Sequence, residues 1–323
     1  MQPTSTPLRL AILDDYVGAA RGSADWRRLS DRVKITVFEQ PFGGPEAAAL
    51  ALESFEILCV MRERTPFPRA LIERLPNLRL IVSSGLVNRS IDMEAARERG
   101  VTVCHTTGKD GSASTVELAW ALILACARDL PRQELSLRKR GWQERLGARL
   151  SDKTLGVVGL GKIGSKVAAI GKAFGMEPIA WSPNLTPERA QKGGARFVEK
   201  EELFRTADVV SIHLVLGEAT RGLIGAHEFG LMKPEAIFVN TSRGPIVRET
   251  ALVAALRSHA FACAGLDVYD VEPLPDDHPL RALDNVVLTP HLGYATSDNF
   301  RDFYTDMVED VEAWLAGAPI RVS

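Results

Sequence analysis

Short apolar runs rich in β-branched residues alternate with helical patterns from the start of the chain. Arg9 to Leu13, Val33 to Phe38, Ile57 to Met61, Leu78 to Ser83 and Val101 to Cys104 read as buried strands. Helices are predicted around Pro45 to Leu52, Pro68 to Leu75 and Asp92 to Arg99. Alternation of this kind makes right-handed βαβ units, so the first hundred residues predict a small parallel sheet covered on both faces. Ser114 to Leu130 then reads as a long apolar helix stopped by Pro131, followed by a basic, polar segment through Asp152. A second alternation begins near Leu155. Its further strands are expected at Glu177 to Trp181, Asp208 to Leu214, Ala236 to Asn240, Ala262 to Val268 and Asn285 to Thr289, and Asp298 to Leu315 closes the chain as an amphipathic helix. The expected fold is α/β, with two doubly wound parallel-sheet domains.

Length and composition agree with two domains. A chain of 323 residues exceeds one ordinary core, and each half is large enough to fold without disulfides or a structural metal. Apolar residues make up 46%, charged residues 25%, and the formal charge is −2, which offers no excess of positive charge to hold nucleic acid. Cys59, Cys104, Cys126 and Cys263 are scattered among apolar neighbours without a Cys-x-x-Cys pair, and read as reduced core residues. The longest uncharged apolar run, Leu118 to Ala127, is too short to span a bilayer, and Leu8 to Leu13 is too short for a secretion signal. The expected location is cytoplasmic, with no membrane partner.

The most informative motif follows the apolar run Leu155 to Val158. In Gly159-Leu160-Gly161-Lys162-Ile163-Gly164, Gly159 permits a tight turn, Gly161 lets backbone approach a pyrophosphate, and Gly164 lets the new helix lie close to its strand. The helix's first N–H groups then face the phosphates. Three further segments end predicted strands of the same domain: Asn240 to Gly244, Asp267 to Pro273 and Thr289 to Gly293. Open parallel sheets bind ligands beyond the carboxyl ends of their strands, so Arg243, Glu272 and His291 are expected to converge on the edge that holds the dinucleotide. A guanidinium grips a carboxylate by two parallel hydrogen bonds, an imidazole exchanges a proton near neutral pH, and a carboxylate orients that imidazole. Those are the parts hydride transfer at a hydroxy acid needs. Singly, each has a plainer reading: Arg243 as an exposed turn residue, Glu272 as a solvated loop carboxylate, His291 as a turn histidine after Pro290. Arg62 and Arg64 follow a strand of the first domain and either meet a second acidic group of a substrate or belong to a solvated turn. No arrangement of His, Asp, Glu or Cys suggests a catalytic metal.

On the glycine motif, the Asn-x-x-Arg-Gly segment, the Glu-Pro pair and the Pro-His-x-Gly segment, in that order, the chain resembles the D-isomer-specific 2-hydroxyacid dehydrogenases over nearly its whole length. The resemblance implies a Rossmann dinucleotide-binding domain over 105–292 and a smaller flavodoxin-like substrate domain made of 1–104 plus 293–323. It implies His291 as the acid/base, Glu272 as its partner, and Arg243 as the residue that orients the substrate. It also places Thr115, Leu214, Thr241, Asp267 and Gly293 beside the cofactor, with Asp267 facing the nicotinamide, and backbone N–H groups near Leu86 and Val87 on a substrate carboxylate. Members of the family are usually homodimers built through the cofactor domains.

One departure concerns the cofactor. Where NAD-preferring members carry an acidic residue at the end of the second strand, this chain has Ser182, which does not select against NADP by charge. Pro183 and Asn184 supply no cation to favour NADP, and Arg189 and Lys192 sit further along. The reading is NAD, with NADP open. The expected protein is an NAD(P)-dependent dehydrogenase of a small 2-hydroxy or 2-oxo acid. The alternatives are a dinucleotide-sensing scaffold of the C-terminal binding protein type, or a dehydrogenase acting on formate or a phosphonate.

Overall fold

A computed structural model describes residues 6–107 and 110–323. It divides into two compact units, Met1–Asp110 with Thr296–Ser323, and Gly111–Ala295. The first unit holds strands β1 (Leu8–Ile12), β2 (Val33–Val37), β3 (Ile57–Val60), β4 (Leu80–Ser83) and β5 (Thr102–His105), with helices α1 (Ala20–Ser23), α2 (Pro45–Leu52), α3 (Arg69–Ile72) and α4 (Met93–Glu98). The strands are all parallel and lie in the order β2-β1-β3-β4-β5, the flavodoxin-like arrangement. A strand buried on both faces reads as a near-continuous apolar run, and β3 and β4 are buried throughout, with Ser83 as the one polar residue.

The second unit holds helices α5 (Ser112–Arg128), α6 (Leu130–Arg138), α7 (Lys162–Ala173), α8 (Pro187–Lys192), α9 (Lys200–Thr206), α10 (Ala226–Leu231) and α11 (Glu249–Arg257). Its strands are β6 (Thr154–Val158), β7 (Glu177–Trp181), β8 (Arg196–Phe197), β9 (Val209–Ile212), β10 (Ile237–Asn240), β11 (Cys263–Leu266) and β12 (Val286–Leu288). They form one parallel sheet in the order β12-β11-β10-β9-β6-β7-β8. The order reverses at β6, which pairs with both β7 and β9, and a crevice therefore opens beyond the carboxyl ends of β6 and β9. Val157, Ala168, Val167 and Ile123 pack on one face of this sheet, and Phe204, Phe229, Phe238 and Leu256 on the other. Each such buried side chain contributes about 1.5 to 3 kcal/mol relative to its exposed state.

The chain returns to the first unit through α12 (Ser297–Leu315), whose buried residues Phe300, Phe303, Tyr304, Met307, Val308 and Val311 recur at helical spacing. The residues after it run antiparallel beside β5: Cys104 bridges Val322, and the His105 and Ser323 N–H groups donate to the Arg321 and Val103 carbonyls.

Three expectations change. The long helix expected over Ser114 to Leu130 is α5 and ends at Arg128, because Asp129 turns left-handed (φ 52°). Pro131 does not stop a helix but opens α6, since proline is tolerated in a first turn, and the basic, polar segment begins as a helix. The second unit runs to Ala295 rather than 292, and from Gly111 rather than 105. Gly293 belongs to it because its N–H donates to Asp267 and its carbonyl accepts from Thr115.

Candidate active site

The glycine turn joins β6 to α7 where the sheet order reverses. Gly159 has φ +102°, and a Cβ there would lie 2.7 Å from the His213 carbonyl carbon. A Cβ on Gly164 would lie 2.1 Å from the Gly159 oxygen and 3.0 Å from a Val157 methyl, so only glycine lets α7 pack this closely on β6. Gly161 differs: a Cβ there would meet nothing within 4 Å, so the turn exposes open backbone ahead of Lys162 and Ile163, the first residues of α7. The first-turn N–H groups of a helix lack carbonyl partners within it and carry the positive end of its dipole, which suits a pyrophosphate. Thr241, just past β10, has a buried hydroxyl with no hydrogen-bond partner in the protein. An open glycine beside a helix start, and a buried hydroxyl still owed a partner, fit a dinucleotide.

Beyond the carboxyl ends of β10, β11 and β12 lie the three residues expected to converge, Arg243, Glu272 and His291. The His291 Nδ1 lies 2.5 Å from Glu272 Oε2, and the other Glu272 oxygen accepts from the Tyr269 N–H at 2.9 Å. Glu272 thus meets the ring at Nδ1, the nitrogen opposite Nε2. Burial pushes the Glu272 carboxyl up, but the His291 hydrogen bond and charge, the Tyr269 N–H and the Arg243 charge outweigh it and hold the group below its ordinary value. Arg243 is thus electrostatically part of the same cluster. Its backbone is fixed by Asn240, whose side chain donates to the Arg243 carbonyl at 3.0 Å and accepts from the Ser242 N–H at 3.0 Å. The Tyr294 ring stands edge-on to the His291 ring at 5.5 Å.

His291 takes a left-handed backbone conformation (φ 53°), and Asp267 holds it there. Asp267 is fully buried; Oδ1 accepts from the Thr289 hydroxyl at 2.6 Å and the Leu292 N–H at 2.7 Å, and Oδ2 accepts from the Gly293 N–H at 2.9 Å. The Asp267 carbonyl takes the His291 N–H at 2.9 Å. The resemblance places Asp267 against the nicotinamide; this anchoring was not legible beside it, because the partners lie 22 to 26 residues away. Burial raises its carboxyl above the ordinary value, against the pull of Thr289, Leu292, His291 and Gly293.

Thr115 and Gly293 are bonded to each other, the hydroxyl donating to the carbonyl at 2.9 Å. Leu214 follows β9 beside the glycine turn, where its carbonyl accepts from the Ser242 hydroxyl and its N–H lies 2.9 Å from where a Gly159 Cβ would stand. Ser182 directly follows Trp181 at the end of β7, and the nearby Arg189 guanidinium donates to the Asn184 carbonyl at 2.8 Å. The remaining three predicted residues, Arg62, Leu86 and Val87, belong to the first unit. They gather at the carboxyl ends of β3 and β4, where the Arg62 N–H donates to Ser84 Oγ at 2.9 Å and its guanidinium lies over Gly85. Leu86 and Val87 are exposed.

A doubly wound sheet with a glycine turn at its switch point defines a dinucleotide-binding Rossmann unit. The profile of the D-isomer specific 2-hydroxyacid dehydrogenase NAD binding domain matches residues 120–293. A glyoxylate reductase of Aeropyrum pernix is 44% identical over 256 residues, covering 76% of this chain and 76% of that protein. A D-3-phosphoglycerate dehydrogenase of Archaeoglobus fulgidus is 38% identical over 264 residues; the match covers 81% of this chain but only 50% of the longer relative, so the chain spans about half of that relative's length. The crystal structure of a phosphoglycerate oxidoreductase from Vibrio cholerae superimposes with a TM-score of 0.90 at 37% identity, over 96% of this chain and all of that one. The chain belongs to the D-isomer specific 2-hydroxyacid dehydrogenase family, and its second unit contains that family's NAD binding domain.

Proposed function

We propose that the protein is an oxidoreductase that moves a hydride between NAD(P)(H) and C2 of a small 2-oxo or 2-hydroxy acid. The observation that carries this reading is the 2.5 Å contact between His291 and Glu272 beside Arg243, on the same sheet edge as the glycine turn. The nicotinamide supplies the hydride in reduction and accepts it in oxidation. In reduction, His291 Nε2 gives a proton to the substrate's carbonyl oxygen; in oxidation it takes the hydroxyl proton. Glu272 holds the ring by its Nδ1–H, and Arg243 grips the substrate carboxylate and polarises the carbonyl. Thr115, Ser182, Leu214, Thr241, Asp267 and Gly293 are assigned to the cofactor, and Arg62, Leu86 and Val87 to the substrate acid. The named relatives support a substrate of the glyoxylate or hydroxypyruvate kind, and the cofactor of choice is NAD.

The partner we propose is a second copy of the chain. The segment from α6 to Gly147 exposes Leu130, Leu135, Leu137, Trp142 (77% exposed) and Leu146 (fully exposed), an apolar stretch that a second copy could cover. No helix among the described residues is long and apolar enough to cross a membrane, and four thiols without a disulfide suit the reducing cytoplasm we propose as the location.

The reading is tested by following NADH and NADPH separately against a panel of 2-oxo acids. Turnover of glyoxylate or hydroxypyruvate with NADH is expected. No turnover of any 2-oxo acid, with activity on formate or phosphite instead, would overturn it.

A further inference from the structure

A second histidine–carboxylate pair stands behind the first. His278 Nε2 lies 2.9 Å from Glu249 Oε1, both largely buried. His278 Nδ1 accepts from the Leu280 N–H at 3.3 Å, which leaves Nε2 as the nitrogen that carries hydrogen and donates to Glu249. The second Glu249 oxygen accepts from the Asp270 N–H at 3.3 Å. Asp270 sits between Tyr269, whose N–H binds Glu272, and Glu272 itself. Two carboxylates therefore hold successive peptide groups of one loop: Glu272 takes the N–H of residue 269, and Glu249 takes that of residue 270.

The other contacts of this loop show how little freedom it has. A Cβ on Gly244, the residue after Arg243, would lie 2.1 Å from the Tyr269 carbonyl carbon, so the same peptide is pressed against the segment that carries Arg243. The Tyr269 hydroxyl donates to the Leu266 and Thr289 carbonyls, and Arg281 donates to the Leu274 and Pro275 carbonyls. Glu249 reaches this loop from α11, and the charges of Glu249, Arg221 and His278 act on the Asp270 carboxyl.

We propose that Glu249, held by His278, is a positioning residue that sets Glu272 against His291. The proposal rests on the oxidoreductase reading for its kinetic consequence, but not for its structural one. Without Glu249 the Asp270 peptide loses an anchor, Glu272 shifts relative to the imidazole, and His291 loses its fixed orientation. Neither residue touches the substrate. Misplacing an acid/base group by about an ångström costs on the order of a hundredfold in rate, and a partial loosening is expected to cost about tenfold.

The test uses Glu249→Ala, Glu249→Gln and His278→Asn in the full chain. Two readouts separate positioning from folding. The first is the downfield proton resonance of the His291 Nδ1–H, identified by its loss in Glu272→Gln; it is expected to broaden or vanish in Glu249→Ala and to return at least in part in Glu249→Gln. The second is a double-mutant cycle: Glu249→Ala should lower kcat about tenfold with the KM for NADH unchanged, and should add nothing when Glu272 is already Gln. An unchanged His291 resonance in folded Glu249→Ala, or losses that multiply in the double variant, would overturn the proposal. A resonance that responds as expected in a protein that reduces no 2-oxo acid would sustain the positioning and sink the proposed reaction. Should Glu249→Ala fail to fold, His278→Asn carries the same two readouts, with the same outcomes deciding.

Discussion

The two units are built on the same plan, a doubly wound parallel sheet, yet their carboxyl edges are furnished differently. In the first unit that edge is a closed polar network: the buried Asp14 carboxylate accepts from Thr65 and Tyr16, Arg64 donates to the Asp14 carbonyl and stacks 4.4 Å over the Tyr16 ring, and Asn88 ties the Arg62 carbonyl to Ser83. Among the described residues this unit contains no histidine–carboxylate pair. In the second unit the same edge carries an open glycine turn, a buried hydroxyl without a partner, and a histidine held by a carboxylate at Nδ1. Architecture alone therefore does not make a reactive site; the loops at the strand ends do. The first edge is tied into its own network, and the second carries the groups to which the proposed reaction is assigned.

The largest break in this contrast is expected from His291→Ala, which should lower kcat about a thousandfold while NADH still binds by fluorescence titration. Turnover within a factor of two of wild type would remove the histidine from the chemistry. Next comes Gly164→Ala, whose Cβ collides with the Gly159 oxygen; NADH affinity should fall about tenfold, a loss near 1.4 kcal/mol, and an unchanged dissociation constant would show that the turn does not hold the dinucleotide.

A smaller effect is expected in the first unit. Arg62→Ala should raise the KM for the 2-oxo acid a few-fold and leave kcat and NADH affinity near wild type, as removal of a binding group does; a kcat loss as large as that of His291→Ala would erase the contrast between the two edges. The last prediction concerns stability. Asp310, fully buried on α12, has its carboxyl pushed up to about 7 by burial, an effect the bond to Arg321 only partly offsets. A carboxyl raised in the folded state binds its proton more tightly there, so its stabilising effect is full below about pH 4 and is lost as pH rises through about 7. The melting temperature should decline over that interval by a few degrees more in wild type than in Asp310→Asn, and identical slopes in calorimetry would refute the assignment.

Much of this could be read from the chain because its signals are local. The glycine turn, the buried strands and the segments after β10, β11 and β12 each declare themselves within a few residues, and helix α2 falls where the pattern puts it. What escaped was non-local. The anchoring role of Asp267 escaped because nothing near it in sequence reveals the N–H groups of Leu292 and Gly293 that surround it. Glu249 and His278 are 29 residues apart, and neither carries a local motif that points to the other. Helix α6 was hidden by Pro131, which can end one helix or begin the next; the left-handed turn at Asp129 decides between them.

The most direct test of the central claim is to supply NADH deuterated on the transferred face of C4, with glyoxylate or hydroxypyruvate, and weigh the product. The account predicts a 2-hydroxy acid carrying one deuterium on C2 from wild type, and none from His291→Ala in the same time. A product without the label, or no product from any 2-oxo acid, would contradict it.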